Sequence, residues 1–151
     1  EVAHSEIERL DPTEDPRMIC AAKHNLSWSL LTSGSPEEAW KFLDSIRSYY
    51  LEFGHQMDLP RFHWLEGQIA IELGQLDKAE RLLHEVRDFF IDCSCGAEVF
   101  NLSIDLAGIY VRVGSYQKAR YCLSEIIPLG EALGLRQGVL EARLLYAQAS
   151  H

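Results

Sequence analysis

Cations are scarce in this sequence. Its 151 residues hold 14 Lys and Arg against 23 Asp and Glu, a formal net charge of −9. The basic residues are scattered, and phosphate attraction needs them clustered, so a nucleic-acid partner is not expected. No apolar run approaches the roughly 20 residues of a membrane span, which argues against a membrane partner. Cysteine is limited to Cys20, Cys93, Cys95 and Cys122. Their spacing suggests no disulfide framework, and they read as reduced thiols in a cytoplasmic protein. A zinc site needs four ligands at sensible spacing, and the Cys-Ser-Cys run supplies two, so no metal is expected. The six histidines form no His-Glu-x-x-His pair, and none of the ten glycines builds a phosphate-cradling loop after a strand. No catalytic residue and no cofactor stand out, and the expectation is a protein that is not an enzyme. The first residue is Glu1 rather than Met, and the sequence reads as a segment of a longer chain. No basic-plus-apolar leader opens it.

What the sequence does have is an internal repeat. Gly recurs at 34, 74 and 114, Ala at 39, 79 and 119, and Leu at 43, 83 and 123, a period of 40 in each interval. Small residues, Ser27, Gly67 and Ala107, precede each Gly by seven, and the apolar residues Phe42, Leu82 and Cys122 follow it by eight. Apolar positions separated by three, four and seven indicate amphipathic helices, and the alternation of strands is absent. The spacing predicts helices over 17–33, 36–53, 59–73, 76–93, 97–113, 116–130 and 136–150. Each repeat Gly ends one helix in a left-handed conformation. At the second helix, Ser35 is an N-cap, Pro36 stands at the first helical position, and Glu38 completes a capping box. Residues 1–10 read as the end of an earlier helix, and Asp11–Pro16 as a turn. Close packing of two antiparallel helices across a short turn needs small side chains. Ser27, Gly67 and Ala107 are therefore expected to face Ala39, Ala79 and Ala119.

These residues resemble the tetratricopeptide repeat family. Leu106, Ala107, Tyr110, Gly114, Tyr116 and Ala119 follow its pattern closely. Gly67, Gly74 and Ala79 do so in the preceding unit, with Ala70 where the family prefers Tyr, and Leu30, Gly34 and Ala39 in the first. A further unit opens with Tyr146 and Ala147 in register. Two features depart from the family. Its period is about 34, so these helices should be longer by about a turn, and its frequent closing Pro is missing. Long variants of this kind are familiar in bacterial regulators and in scaffolds.

The resemblance implies an all-α fold, a right-handed superhelical array of antiparallel hairpins forming one domain. The repeats would cover approximately 17–54, 57–94, 97–134 and 136–151. It also implies a concave groove lined by the first helix of each hairpin. The matching positions are His24, Trp28, Leu31 and Thr32, then Arg61, Trp64, Gln68, Ile71 and Glu72. Asn101, Ile104, Gly108, Val111 and Arg112 follow, and then Glu141, Leu144 and Gln148. The expected partner is a protein, offering a peptide or helix with apolar anchors near Trp28, Trp64 and Ile71; Arg61 and Arg112 would take its acidic residues. The opposing expectation for Trp28 and Trp64 is packing between hairpins. Asn25 and Arg61 match two places of the family's carboxylate clamp, but its other basic residues are absent. Two further readings stand beside peptide binding. One is a regulatory segment whose array holds flanking output domains. The other is a structural array that forms homo-oligomers, which an apolar face on the outer helices or on the last unit would favour.

Overall fold

The computed structural model describes residues 16–53 and 58–151, and these residues are helical with no strand among them. The helices are α1 (Pro16–Thr32), α2 (Pro36–Ser45), α3 (Arg47–Phe53), α4 (Asp58–Glu72), α5 (Leu76–Asp92), α6 (Gly96–Arg112), α7 (Tyr116–Ala132) and α8 (Arg136–Ala149). The expected helix end in residues 1–10, the acidic part of the turn at 11–16, and the stop at Gly54 lie outside the described residues.

One turn design punctuates the chain. Gly34, Gly74, Gly114 and Gly134 have φ of 91°, 77°, 79° and 72°, and Ser94 takes the same role at 57°. At every one, the following residue donates its N–H back across the turn at 2.8–2.9 Å: Ser35 to Leu30 O, Gln75 to Ala70 O, Cys95 to Phe90 O, Ser115 to Tyr110 O, and Leu135 to Gly130 O. The turn thereby satisfies carbonyls that a helix end leaves without an intrahelical donor. These left-handed positions stand twenty or forty residues apart. Between Gly74 and Gly134 the forty-residue period is therefore two copies of one helix-plus-turn of about twenty residues.

Two local expectations are corrected. Ser35 holds the N-cap position of α2 with Pro36 behind it, but its side chain makes no capping hydrogen bond, so the capping box does not form. The helix expected over 36–53 is broken at Ile46. There the N–H turns to Leu43 O, and the hydroxyl of Ser45 donates to Phe42 O at 2.6 Å. Phe42 O is the acceptor a continuous helix would offer Ile46. Ser124 makes the same bond to Tyr121 O in α7 without a break, so the hydroxyl alone is not sufficient. Pro128 lies inside α7, which runs on past it to Ala132.

The chain divides into two compact units, Glu1–Gln75 and Leu76–His151. In the first, α1 packs on α2 and α4 on both α2 and α3. Its core holds Cys20, Ala39, Leu43, Ile46, Phe62, Leu65 and Ile69. The hydroxyl of buried Ser27 donates to Ala39 O at 2.7 Å, fixing the close approach of α1 and α2 that the small residues predict. In the second unit α6 packs against α5, α7 and α8 and buries residues on nearly every side, from Val99 to Tyr110. Ala107 and Ala119 are fully buried where α6 meets α7.

Candidate functional site: a groove over α6

The second unit contains an open groove of about 510 Å³ between α5 and α7, with α6 as its floor. Helical spacing builds both walls. Ala79, Leu82, Leu83 and Val86 turn α5 into the core. Glu80, His84 and Arg87, spaced by four and three, come out along its flank. On α7, Ala119, Leu123 and Ile126 are buried, which leaves Gln117, Lys118, Tyr121, Cys122 and Glu125 beside the groove. Leu106 and Tyr110 rise from α6 between the walls.

Hydrogen bonds tie the floor to both walls. The Tyr110 hydroxyl lies 2.9 Å from Nε2 of His84, and Glu80 stands 3.8 Å from the same nitrogen. Burial, reinforced by the charge of Glu80 and its hydrogen bond, pushes the Tyr110 phenol up to about 12, so it stays a neutral donor at physiological pH. The Lys118 ammonium sits 5.7 Å from the centre of the Tyr110 ring. Further along, Nε of Arg87 donates to Ser103 Oγ at 2.8 Å, and Ser103 Oγ donates to Val99 O. The Cys122 thiol points to Ser103 O at 3.5 Å. Burial raises the Cys122 pKa, with Arg87 opposing, so the sulfur is held as a thiol rather than an activated thiolate. Tyr121 stands 67 % exposed at the rim. An apolar floor between walls carrying two carboxylates and two cations is suited to holding side chains by shape and charge.

Arg87 has a counterpart forty residues earlier. Arg47 reaches from α3 to Glu66 on α4, with Nη2 2.9 Å from Oε2. It also lies over the rings of Phe62 and Trp40 at 5.0 and 5.6 Å. Glu66 is only 4 % exposed and also meets Nδ1 of His63 at 3.3 Å. In both units an arginine holds the next helix in sequence, Arg47 of α3 reaching α4 and Arg87 of α5 reaching α6. The first unit has a smaller cavity of about 150 Å³, lined by Arg17, Cys20, Ala21, Tyr50, Phe53 and Asp58.

The residues expected from the family's groove lie elsewhere, and none of the ten partner-contact candidates lines the groove over α6. In the first unit Trp28 is exposed on α1, and Arg61 is exposed on α4. Leu31 is half-buried against the core, and Trp64, Gln68 and Ile71 are half-buried on α4. His24 is turned inward: its Nδ1 lies 3.1 Å from the Tyr50 hydroxyl, and burial, then the charge of Arg61, lowers its pKa. In the second unit Asn101 and Arg112 are exposed, but Ile104 is a core residue at 5 % exposure. There α6 is covered by α5, α7 and α8. Among the described cysteines, Cys93 is exposed and Cys95 partly so, and all are free thiols. No group of three or more metal-ligating side chains occurs among the described residues, and no described helix is long and apolar enough to cross a membrane.

The signal for the groove was present in the sequence as two polar flanks, 80/84/87 and 118/121/125, each running beside an apolar stripe on a second helix. Compared with known proteins, the chain matches no family model and no curated protein sequence.

Proposed function

We propose that the chain is a protein-interaction module of the tetratricopeptide type, its hairpins stacked in a right-handed superhelical array. We further propose that a short peptide or helix of a partner protein docks in the groove over α6. The observation that carries this reading is the groove itself. Its volume falls within the roughly 300–1,000 Å³ of ordinary ligand sites. It places two tyrosines, an aliphatic floor and charges of both signs along about two turns of helix, the composition of side chains that anchor a docked segment. The neutral Tyr110 and the protonated Cys122 favour holding a ligand over attacking one.

The test is selection of short peptides from a random library on the intact protein, followed by amide-shift mapping of the bound complex. Shifts are expected on α5, α6 and α7 around Tyr110. The exposed rim residue is the best probe. Tyr121→Ala should leave thermal stability nearly unchanged and weaken peptide binding about tenfold or more, equivalent to ~1.4 kcal/mol. Shifts gathered instead on Trp28, Arg61 and Trp64 would move the site to the first helices and end the groove reading.

A further inference from the structure

Four formal charges line the groove over α6: Glu80 and Arg87 on α5, Lys118 and Glu125 on α7. They are not equally engaged. Each carboxylate already holds a phenol. Glu80 hydrogen-bonds the Tyr110 hydroxyl and stands 3.8 Å from Nε2 of His84. Glu125 accepts the hydroxyl of Tyr121. A carboxylate can only accept, and these donors fill part of that capacity.

The two cations have neutral partners instead. Arg87 uses its Nε on the Ser103 hydroxyl at 2.8 Å, one of the five donors of a guanidinium. The exposed Lys118 ammonium lies 5.7 Å from the centre of the Tyr110 ring. Among the described residues neither is paired with a carboxylate. Cations are few in this chain, 14 against 23 acids, yet two of them face each other here without a counter-charge. Both lie near the apolar floor, since the charge of Arg87 acts on Tyr110 and on Cys122.

We infer that the segment docked in this groove is acidic, with an apolar side chain on Leu106 and Tyr110 and flanking Asp or Glu side chains paired with Arg87 and Lys118. The inference rests on the groove being the docking site. A basic segment is the poorer occupant, because it would have to draw Glu80 and Glu125 from their phenols and set like charges beside Arg87 and Lys118. The net charge of −9 opposes an acidic ligand at long range. At physiological salt that field is screened beyond about 8 Å, whereas the two pairs form in contact, against an apolar floor.

The probes are peptides selected from a random library on the intact protein and synthesised with both ends capped, so that no terminal charge contributes. Those that shift the amides around Tyr110 should be enriched in Asp and Glu over the starting library. Replacing these acids by Asn and Gln should weaken binding at least tenfold. Lys118→Glu should do the same with helicity intact, because the residue is exposed and a carboxylate suits the first turn of α7. A peptide with Lys in place of the acid that meets position 118 should regain most of the loss in that variant. Arg87→Gln, which keeps a donor for Ser103, should weaken the acidic peptides as well. Binders in the groove with no excess of acids, or with affinity untouched by the amide replacements and by Lys118→Glu, would overturn the inference and leave the groove as the docking site. Binders whose shifts lie away from α5, α6 and α7, or a library that yields none, would end both.

Discussion

Ser94 does what four glycines do elsewhere. Its φ of 57° is the only positive value at a non-glycine among the described residues, and a Cβ in that conformation costs about 1–2 kcal/mol. The turn holds because Cys95 N–H and the neighbouring bonds over-determine it. Ser94→Gly should therefore raise stability by ~0.5–1 kcal/mol, the strain relieved being partly offset by the greater freedom of glycine in the unfolded chain. Gly114→Ala should lower it by ~1 kcal/mol, through the backbone alone, since nothing lies within 4 Å of the added methyl. Urea midpoints measure both, and a stabilised Gly114→Ala would contradict the shared turn. His24 supplies a pH dependence. Burial holds its folded pKa below the ordinary 6.5, so as pH falls the unfolded chain takes up the proton first. Its contribution to stability is complete above about pH 6.5 and is lost as pH falls through that value toward the folded pKa. Between pH 7.5 and 5 the wild type should lose more stability than His24→Gln; equal losses would show that the ring is not held neutral.

At the level of elements, the sequence made some joints legible and concealed others. Gly34, Gly74 and Gly114 announced the turns because only a left-handed end requires glycine at that spacing. The joint between the helices over 76–93 and 97–113 was legible too, but its left-handed residue, Ser94, was not, because its residue type does not announce that conformation. The break at Ile46 had no periodic signal, since the apolar spacing of Leu43, Ile46 and Tyr50 continues across it. The arginine struts were invisible as well: Arg47 reads as a solvated charge until the fold brings α4 beneath it. There it lies beside Glu66, which is almost wholly removed from water. Arg47→Met should cost ~2–3 kcal/mol, at the low end for a buried pair because Arg47 keeps a third of its surface in water. Adding Glu66→Leu should recover most of that loss in thermal melts, because the expense lies in a buried carboxylate that has lost its arginine and keeps His63. Failure of the second change to rescue the first would assign the cost to the arginine's packing on Phe62 and Trp40.

At the scale of the molecule, periodicity gave the faces of the helices but not their neighbours. A stripe such as 101/104/108 can be read as outward, yet α6 is enclosed by α5, α7 and α8 and buries Ile104. The groove arises where two second helices flank a first helix, an arrangement set by packing angles that one sequence does not encode position by position. In the second unit each helix packs on its neighbours in sequence and α6 also meets α8, so the four helices share one core. Residues 76–151 form a compact unit with their own buried Phe90, Phe100, Leu106 and Leu123. Expressed alone, that segment should keep its helical circular dichroism and unfold in urea as one cooperative transition. Its m-value should be about half that of the full chain, because m follows the surface exposed on unfolding. A broad, non-cooperative loss of helix would show that the four helices lack a core of their own, and the groove over α6 would then depend on residues before 76.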